Sequence, residues 1–222
     1  MADAVVIGAG LAGCEAAWAL ANAGHKVTLY EMKPAKYSPA HHSPGFAELV
    51  CSNSFKATRH TSAAGLLKEE MALLGSLVLE AAGEAAVSAG GALAVDRDLF
   101  SQAVTRRIAG HPGITVATGE EVTQIPVGNA VIATGPLTSQ GLSDAIGELC
   151  GEKYLSFYDA SAPIVTLESV DREKTFFATR YGRGDADYIN CPFTQPEYDA
   201  FYDALVSAEA VELKPFEREY FK

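Results

Sequence analysis

The chain has 222 residues, of which 48% are hydrophobic, with four cysteines and a formal net charge of −11 at pH 7. This length allows one or two globular domains with a sizeable core, and the wide cysteine spacing argues against a disulfide framework or a metal site. The acidic balance argues against binding a polyanion through bulk electrostatics.

The first predicted elements are a strand at Ala4–Ile7, a glycine-rich turn and a helix over Leu11–Ala23. The turn has the spacing Gly-x-Gly-x-x-Gly, in which the glycines allow a tight bend, close approach to phosphates and close helix packing. The helix N-terminus then offers free N–H groups and a partial positive charge to an anion. The motif predicts a dinucleotide diphosphate site formed by Gly8, Ala9, Gly10, Leu11, Ala12 and Gly13.

The second predicted strand, Lys26–Tyr30, is followed directly by Glu31. An acidic residue about 20 positions after the glycines is where a carboxylate accepts hydrogen bonds from an adenosine ribose. A glycine triplet alone also occurs in many turns that bind nothing. The strand before it, the helix after it and the acid together favour a nucleotide site.

A loop rich in proline, histidine and serine over Lys33–Gly45 precedes Cys51, which lies among small polar residues. A cysteine in a protein is often buried and inert. The alternative is a nucleophilic or redox thiol, favoured if backbone N–H groups or a cation such as Lys56 stabilise the thiolate. The sequence leaves both interpretations of Cys51 open at this point.

Further along, leucines at three-to-four spacing predict one amphipathic helix over Ser62–Ala82. Asp96 is predicted to cap a helix that runs to Ile108. Arg97, at the start of that helix, is a candidate phosphate ligand, although a surface ion pair explains it equally well. Two strands are predicted next, at Ile114–Ala117 and Glu121–Ile125.

The apolar run Ala130–Pro136 is predicted to be a strand that ends in Ala-Thr-Gly-Pro. Alone, this ending indicates only a strand followed by a turn glycine. Joined to the N-terminal glycine motif, it resembles the large class of two-dinucleotide-binding flavoproteins. The combination favours FAD over NAD as the bound nucleotide, with Thr134 and Gly135 as candidate cofactor contacts.

After Pro136, aromatic and β-branched segments predict an antiparallel sheet, followed by a helix that Thr194 caps. The expected strands are Tyr154–Tyr158, Ile164–Leu167, Phe176–Tyr181 and Tyr188–Asn190, and the expected helix runs from Glu197 to about Ser207. The predicted fold class is α/β: an incomplete Rossmann-like FAD-binding domain of the two-dinucleotide-binding type, over residues 1–136. Residues 137–222 are expected to begin a mixed α+β inserted domain on the substrate side.

No apolar stretch approaches the about 18 to 20 residues that span a bilayer, so no membrane contact is expected. No basic leader precedes the first strand, which predicts a cytoplasmic protein.

Several blocks, in order along nearly the whole chain, resemble the TrmFO family of folate- and FAD-dependent tRNA (uracil-5-)-methyltransferases. The most distinctive blocks are Gly8–Trp18, Tyr30–Pro34, Ala40–His42, Ala47–Ser54, Gly65–Met71, Gly90–Arg97 and Ala133–Thr138. The resemblance continues through Tyr158–Ala160, Ala162–Val165, Phe176–Ala178 and Asn190–Pro192.

The resemblance implies an activity. Members of this family reduce FAD with NAD(P)H, take a one-carbon unit from 5,10-methylenetetrahydrofolate, and deliver it to C5 of the T-loop uridine at tRNA position 54. Cys51 matches the family's first functional cysteine, whose thiolate acts either by covalent attack on the uracil or by proton abstraction. The implied partner is therefore tRNA, with the folate and NAD(P)H as co-substrates.

This chain also differs from the family in length, because family members are about twice as long. The family's second functional cysteine would fall just beyond Lys222, and the Gly-Asp-type segment that completes the FAD domain is not in this sequence. We therefore expect an N-terminal portion of such an enzyme, with most of the basic tRNA-binding surface in the remaining portion. The alternatives are a non-catalytic nucleotide-binding fragment and a generic FAD oxidoreductase that shares only the nucleotide fold.

Overall fold

The computed structural model describes residues 3–151, 165–180 and 182–209, and the chain divides into two compact units, Met1–Ala162 and Pro163–Lys222. The strands are β1 (Ala4–Ile7), β2 (Val27–Glu31), β3 (Ser54–Ala57), β4 (Ala86–Val87), β5 (Ala92–Val95), β6 (Ile114–Thr118), β7 (Ala130–Ile132), β8 (Phe176–Arg180) and β9 (Arg183–Asn190). The helices are α1 (Leu11–Asn22), α2 (Ala63–Leu73), α3 (Leu77–Glu84), α4 (Arg97–Gly110), α5 (Gln140–Cys150) and α6 (Gln195–Val206).

The first unit is built on a parallel four-stranded sheet with the order β6-β2-β1-β7. Val6 of β1 pairs with Leu29 of β2 on one side and with Val131 of β7 on the other. Parallel strands need crossover connections, and α1 supplies the one from β1 to β2. This sheet confirms the predicted α/β, Rossmann-like fold class, and it brings the carboxyl ends of β1, β2 and β7 to one edge.

The core of this unit lies where α1, α3 and α4 pack together against the sheet. Its largest fully buried side chains include Leu29 of β2, Leu77 of α3, and Phe100 and Ile108 of α4. Each such side chain contributes about 1.5–3 kcal/mol on burial. On α1, the core face is formed by small residues, Gly13, Cys14, Ala17 and Ala21, which let the helix lie close to the sheet.

The single helix predicted over Ser62–Ala82 is wrong, because two helices occupy this region. The chain leaves α2 at Leu74, and Gly75 adopts a φ of +74°, which L side chains rarely adopt. Ser76 then caps α3, accepting a hydrogen bond from the N–H of Leu79. The leucine spacing continues across the break, so the periodicity alone did not reveal it.

Other differences from the sequence prediction concern short elements. A small antiparallel sheet, β3-β5-β4, and the helix α5 were not predicted. The strand predicted at Glu121–Ile125 is wrong, since these residues form no strand. Gly119, with a φ of +77°, ends the sheet edge just before this segment, and the carboxylate of Glu121 instead binds the ammonium of Lys36 at 2.6 Å.

In the second unit, β8 and β9 form an antiparallel pair, which confirms the antiparallel character expected there. The predicted C-terminal helix is confirmed as α6, where the carboxylate of Glu197 accepts hydrogen bonds from both the N–H and the hydroxyl of Thr194. Leu167 begins a 3-10 turn, so the strand expected to end there is wrong at that end. The strand expected at Tyr154–Tyr158 lies outside the described residues.

Among the helices described, none is both long and apolar enough to cross a membrane.

Candidate functional site

The glycine-rich turn between β1 and α1 is shaped by backbone contacts that exclude side chains at two of its glycines. A Cβ on Gly8, which has a φ of +95°, would lie 2.9 Å from the carbonyl oxygen of Ala133. A Cβ on Gly13 would lie 1.8 Å from the carbonyl oxygen of Gly8. Any side chain at this position would therefore prevent α1 from packing so closely on β1. At Gly10, by contrast, a Cβ would meet nothing within 4 Å. The turn is therefore tightly packed at Gly8 and Gly13, and it has open space at Gly10.

A cavity of about 310 Å³ lies beside this turn at the carboxyl edge of the parallel sheet. Its volume is at the lower end of the range for small-molecule sites. It brings together most of the cofactor residues predicted from sequence, namely Gly8, Ala9, Gly10, Leu11, Ala12, Glu31, Thr134 and Gly135. Gly13, Arg97 and Cys51 do not line it.

Glu31, at the end of β2, is buried and fixes the glycine-rich turn through its carboxylate. Oε2 accepts a hydrogen bond from the N–H of Ala9 at 2.9 Å, and Oε1 accepts one from the N–H of Lys33 at 3.0 Å. Each carboxylate oxygen has a second acceptor position. Glu31 can therefore hold the turn and still accept a hydrogen bond from a hydroxyl in the cavity.

The opposite wall is the turn after β7. The hydroxyl of Thr138 donates to the carbonyl of Gly135 at 2.7 Å. Because that proton is already used, the Thr138 oxygen accepts the hydroxyl proton of Thr134, with 2.6 Å between the two hydroxyl oxygens. Gly135 has a φ of +66°, which favours glycine at this position. This turn continues into α5, whose Leu142 also lines the cavity.

A third wall comes from the loop after β2, and its two charged residues were not identified from the sequence. The ammonium of Lys33, which is only 4% exposed, donates to the carbonyls of Ser43 at 3.0 Å and Gly45 at 2.6 Å. Glu48 accepts the N–H groups of His42 and Ser43 with Oε1, while its Oε2 lies 3.6 Å from the Lys33 ammonium. A lysine and a glutamate in a polar loop give no sequence signal of such an inward-facing pair.

This loop is also attached to the glycine-rich turn itself. Ala47 is buried with a left-handed φ of 50°, and its N–H donates to the carbonyl of Ala9 at 2.9 Å. Ser101 of α4 donates to the carbonyl of Phe46 at 2.6 Å. Contacts from two directions thus hold a strained backbone that leads directly towards Cys51.

Two cysteines near the turn have opposite surroundings. Cys14 is fully buried in α1, its thiol lies 3.4 Å from the carbonyl of Ala9, and burial raises its pKa to about 12. Cys51 is an exposed free thiol, one residue beyond the cavity-lining Val50. Exposure is required of a nucleophilic thiol, so Cys51 meets the condition that Cys14 fails.

His41 also lines the cavity, half-buried, with its Nδ1 2.6 Å from the hydroxyl of Ser38. Burial is the main cause that lowers the pKa of His41, and the nearby positive charge of Lys33 lowers it further. The imidazole is therefore neutral at neutral pH.

Arg97 is the first residue of α4, partly exposed and outside the cavity lining. Within residues 3–151, 165–180 and 182–209, no group of three or more histidine, cysteine or acidic side chains is placed to hold a metal ion.

Comparison with known proteins adds a family and close relatives. The family model described as "Glucose inhibited division protein A" matches residues 3–222. A protein of Anoxybacillus flavithermus named methylenetetrahydrofolate--tRNA-(uracil-5-)-methyltransferase TrmFO is 58% identical over 99% of the chain. The protein of the same name in Bacillus subtilis is 57% identical over 97%. The chain spans about half the length of these curated relatives, 50% and 49% respectively.

Among solved structures, the chain is similar to Aquifex aeolicus GidA in its form I crystal, at 19% identity and a TM-score of 0.49. That match covers 61% of this chain and 25% of the GidA chain. The amino acid oxidase NikD, as its Tyr258Phe mutant, is 16% identical with a TM-score of 0.39, over 62% of this chain and 52% of NikD.

Proposed function

The chain belongs to the family described as glucose inhibited division protein A, and from this premise we propose that it is the FAD-binding part of a folate-dependent tRNA (uracil-5-)-methyltransferase. The observation that carries the proposal is the cavity beside the glycine-rich turn, in a chain 56–59% identical to proteins of that name. The same family membership and the same cavity support FAD as the cofactor.

The residues of the cavity fit the ADP half of FAD. The open space at Gly10 leaves room for phosphates against the backbone, and the first N–H groups of α1 have no partner within the helix. Gly8, Ala9, Leu11 and Ala12 complete that cradle, with Gly13 beneath it. Glu31 accepts the ribose hydroxyls, and Thr134 and Gly135 bound the opposite side.

In the proposed reaction, the complete enzyme methylates C5 of the T-loop uridine at tRNA position 54. When bound, FAD supplies reducing equivalents from NAD(P)H for converting the one-carbon unit of 5,10-methylenetetrahydrofolate into a methyl group. The proposed location is the cytoplasm, where tRNA is modified. Arg97 remains a proposed cofactor-binding residue, as a phosphate contact from outside the cavity lining.

Cys51 is proposed as the catalytic residue of this chain. Its thiol is exposed, and the loop that precedes it is fixed to Ala9 and α4 by the contacts of Ala47 and Phe46. A thiolate that adds to the pyrimidine ring makes C5 carbanion-like, whereas a thiolate that removes the C5 proton completes the transfer. Either role requires the side chain to reach the uridine.

The tRNA itself is proposed to bind mainly outside this chain. A net charge of −11 disfavours contact with an RNA backbone, which proteins hold through lysine and arginine. The relatives are about twice as long, which leaves room for a basic surface in their other half.

Two substitutions in a protein of the relatives' full length that carries these 222 residues test the proposal. Cys51→Ala should abolish methyl transfer to tRNA while leaving FAD bound, because the thiol acts in chemistry and does not line the cavity. Gly10→Ala should remove both FAD and activity, because its methyl group would occupy the space of the phosphates. Methyl transfer is followed with labelled folate, and bound flavin by its absorbance.

Cys150→Ala is the matched control, since Cys150 is also exposed and free but ends α5. It should keep both activity and flavin. Full methylation by Cys51→Ala would remove Cys51 from the mechanism. Flavin binding without methylation in the unsubstituted protein would favour the alternative of a non-catalytic nucleotide-binding chain.

A further inference from the structure

The loop after β2 presents a serine–histidine pair to the cavity. The hydroxyl oxygen of Ser38, which is 8% exposed, accepts the N–H of Ala40 at 3.4 Å and lies 2.6 Å from Nδ1 of His41. Either ring nitrogen of His41 can carry the proton, and in each case one donor of the pair, the Ser38 hydroxyl or the ring N–H, is left for the cavity that both residues line. With the ring proton on Nε2, the hydroxyl of Ser38 donates to Nδ1 and the imidazole offers an N–H to the cavity.

Lys33, the neighbouring cation, uses two of its donors within the loop itself. The ammonium of Lys33 donates to the carbonyls of Ser43 and Gly45, and it lies 3.6 Å from Oε2 of Glu48, which is an ion-pair distance and not a hydrogen bond. Of the residues that line the cavity in the described part of the chain, Lys33 alone has a lysine or arginine side chain. Beside Lys33, the residue of this described lining that carries a side-chain nitrogen is His41.

We propose that His41 is a further ligand-binding residue of this cavity, donating its Nε2–H to an oxygen of the sugar–phosphate part of a bound dinucleotide. The inference rests on the proposed nucleotide-binding function. Ser38 acts as a positioning residue, because its hydroxyl fixes which ring nitrogen holds the proton. Glu48 and Glu31 face His41 as anions and favour its protonation, whereas Lys33, His42 and burial oppose it.

Titration with ADP-ribose tests the proposal on the 222-residue chain, because ADP-ribose carries the sugar–phosphate part without the flavin. His41→Ala should weaken binding about tenfold or more if the oxygen belongs to a phosphate, and about three- to tenfold if it belongs to a sugar hydroxyl. His41→Gln should recover part of that loss, since its amide N–H reaches a position near that of Nε2. Ser38→Ala should weaken binding less than His41→Ala. Without the serine hydroxyl the ring proton can occupy either nitrogen, but the imidazole can still donate from Nε2.

His42→Ala is the matched control, since His42 is the adjacent histidine and does not line the cavity. It should bind ADP-ribose as the unsubstituted chain does. Melting temperatures measured for each variant show whether a loss of binding reflects unfolding. His41→Gln provides the measurement if His41→Ala does not fold.

The pH dependence distinguishes the two sources of the oxygen. A phosphate oxygen would raise the pKa of His41 in the complex, so affinity should increase from about pH 8 to about pH 6 in the unsubstituted chain and stay flat in His41→Gln. A sugar hydroxyl is uncharged, so the affinity of both should stay flat. Either result supports the proposal when His41→Ala binds more weakly.

Equal affinity of the unsubstituted chain and of His41→Ala and His41→Gln would overturn the inference while leaving the proposed function intact. Absence of ADP-ribose binding by the folded, unsubstituted chain would overturn the proposed nucleotide site, and the inference with it.

Discussion

At the scale of single residues, the three glycines of the glycine-rich turn have different structural roles. Gly13 is required by a backbone contact and Gly8 by a contact and a positive φ, whereas Gly10 leaves space open. The Gly-x-Gly-x-x-Gly spacing predicted all three, because each role is part of one strand–turn–helix geometry. Glu31 was also found from its position, but its bond to the N–H of Ala9 is visible only in the structure.

Gly13→Ala should destabilise the protein, by about 2 kcal/mol or more. The new methyl group would lie 1.8 Å from the carbonyl oxygen of Gly8, and the neighbouring backbone would have to move. The free energy of unfolding in urea measures this loss.

The matched control is Gly83→Ala, at an exposed helical position in α3 where a Cβ would meet nothing within 4 Å. It should leave stability unchanged or raise it by up to about 1 kcal/mol, because alanine favours a helix. A Gly13→Ala protein as stable as the Gly83→Ala protein would contradict the packing described for α1.

At the scale of elements, capping signals identified helix starts better than periodicity identified helix ends. Asp96 was predicted as the cap of α4, and its Oδ1 accepts the N–H groups of Asp98 at 3.0 Å and Leu99 at 2.9 Å. A cap depends on neighbours in sequence, so it can be read locally. The break between α2 and α3 also has a local basis, the positive φ of Gly75 and the cap at Ser76, but the leucine spacing runs across both residues.

Asp96→Ala should lower the free energy of unfolding by about 1 kcal/mol, because two N–H groups of the first turn of α4 lose their acceptor. Phe100, Val104 and Ile108 anchor α4 in the core, so fraying at its start weakens the whole first unit. Denaturant unfolding provides the measurement. Asp96→Asn keeps the accepting oxygen and should be nearly neutral; if it loses as much stability as Asp96→Ala, capping is not the cause.

At the scale of the whole molecule, the candidate site lies within one of the two units. The lining of the cavity runs from Ile7 to Leu142 and the main buried cluster from Val6 to Ile114, all within Met1–Ala162. The domain division expected at residue 136 stays a prediction, and Leu137, Thr138, Ser139 and Leu142 line the cavity beyond it.

A protein comprising residues 1–162 should therefore fold and bind ADP-ribose with an affinity within about threefold of that of the 222-residue chain. Circular dichroism and calorimetric titration provide the two measurements. A folded 1–162 protein without binding would show that the second unit contributes to the site.

The sequence by itself determined the parallel sheet, the glycine-rich turn and the acid at the end of β2, because strand, turn and helix signals act between near neighbours. The role of Cys51 stays a prediction, made from its small polar neighbours and from a resemblance carried by short blocks. Only the tertiary structure decided that Lys33 and Glu48 turn inward, that Ala47 is held against Ala9, and that His41 faces the cavity. The loop is held against the glycine-rich turn and α4 by residues far away in sequence, whereas Lys33, Glu48 and His41 contact other residues of the same irregular loop. Neither kind of contact follows a regular period, so no sequence pattern records it.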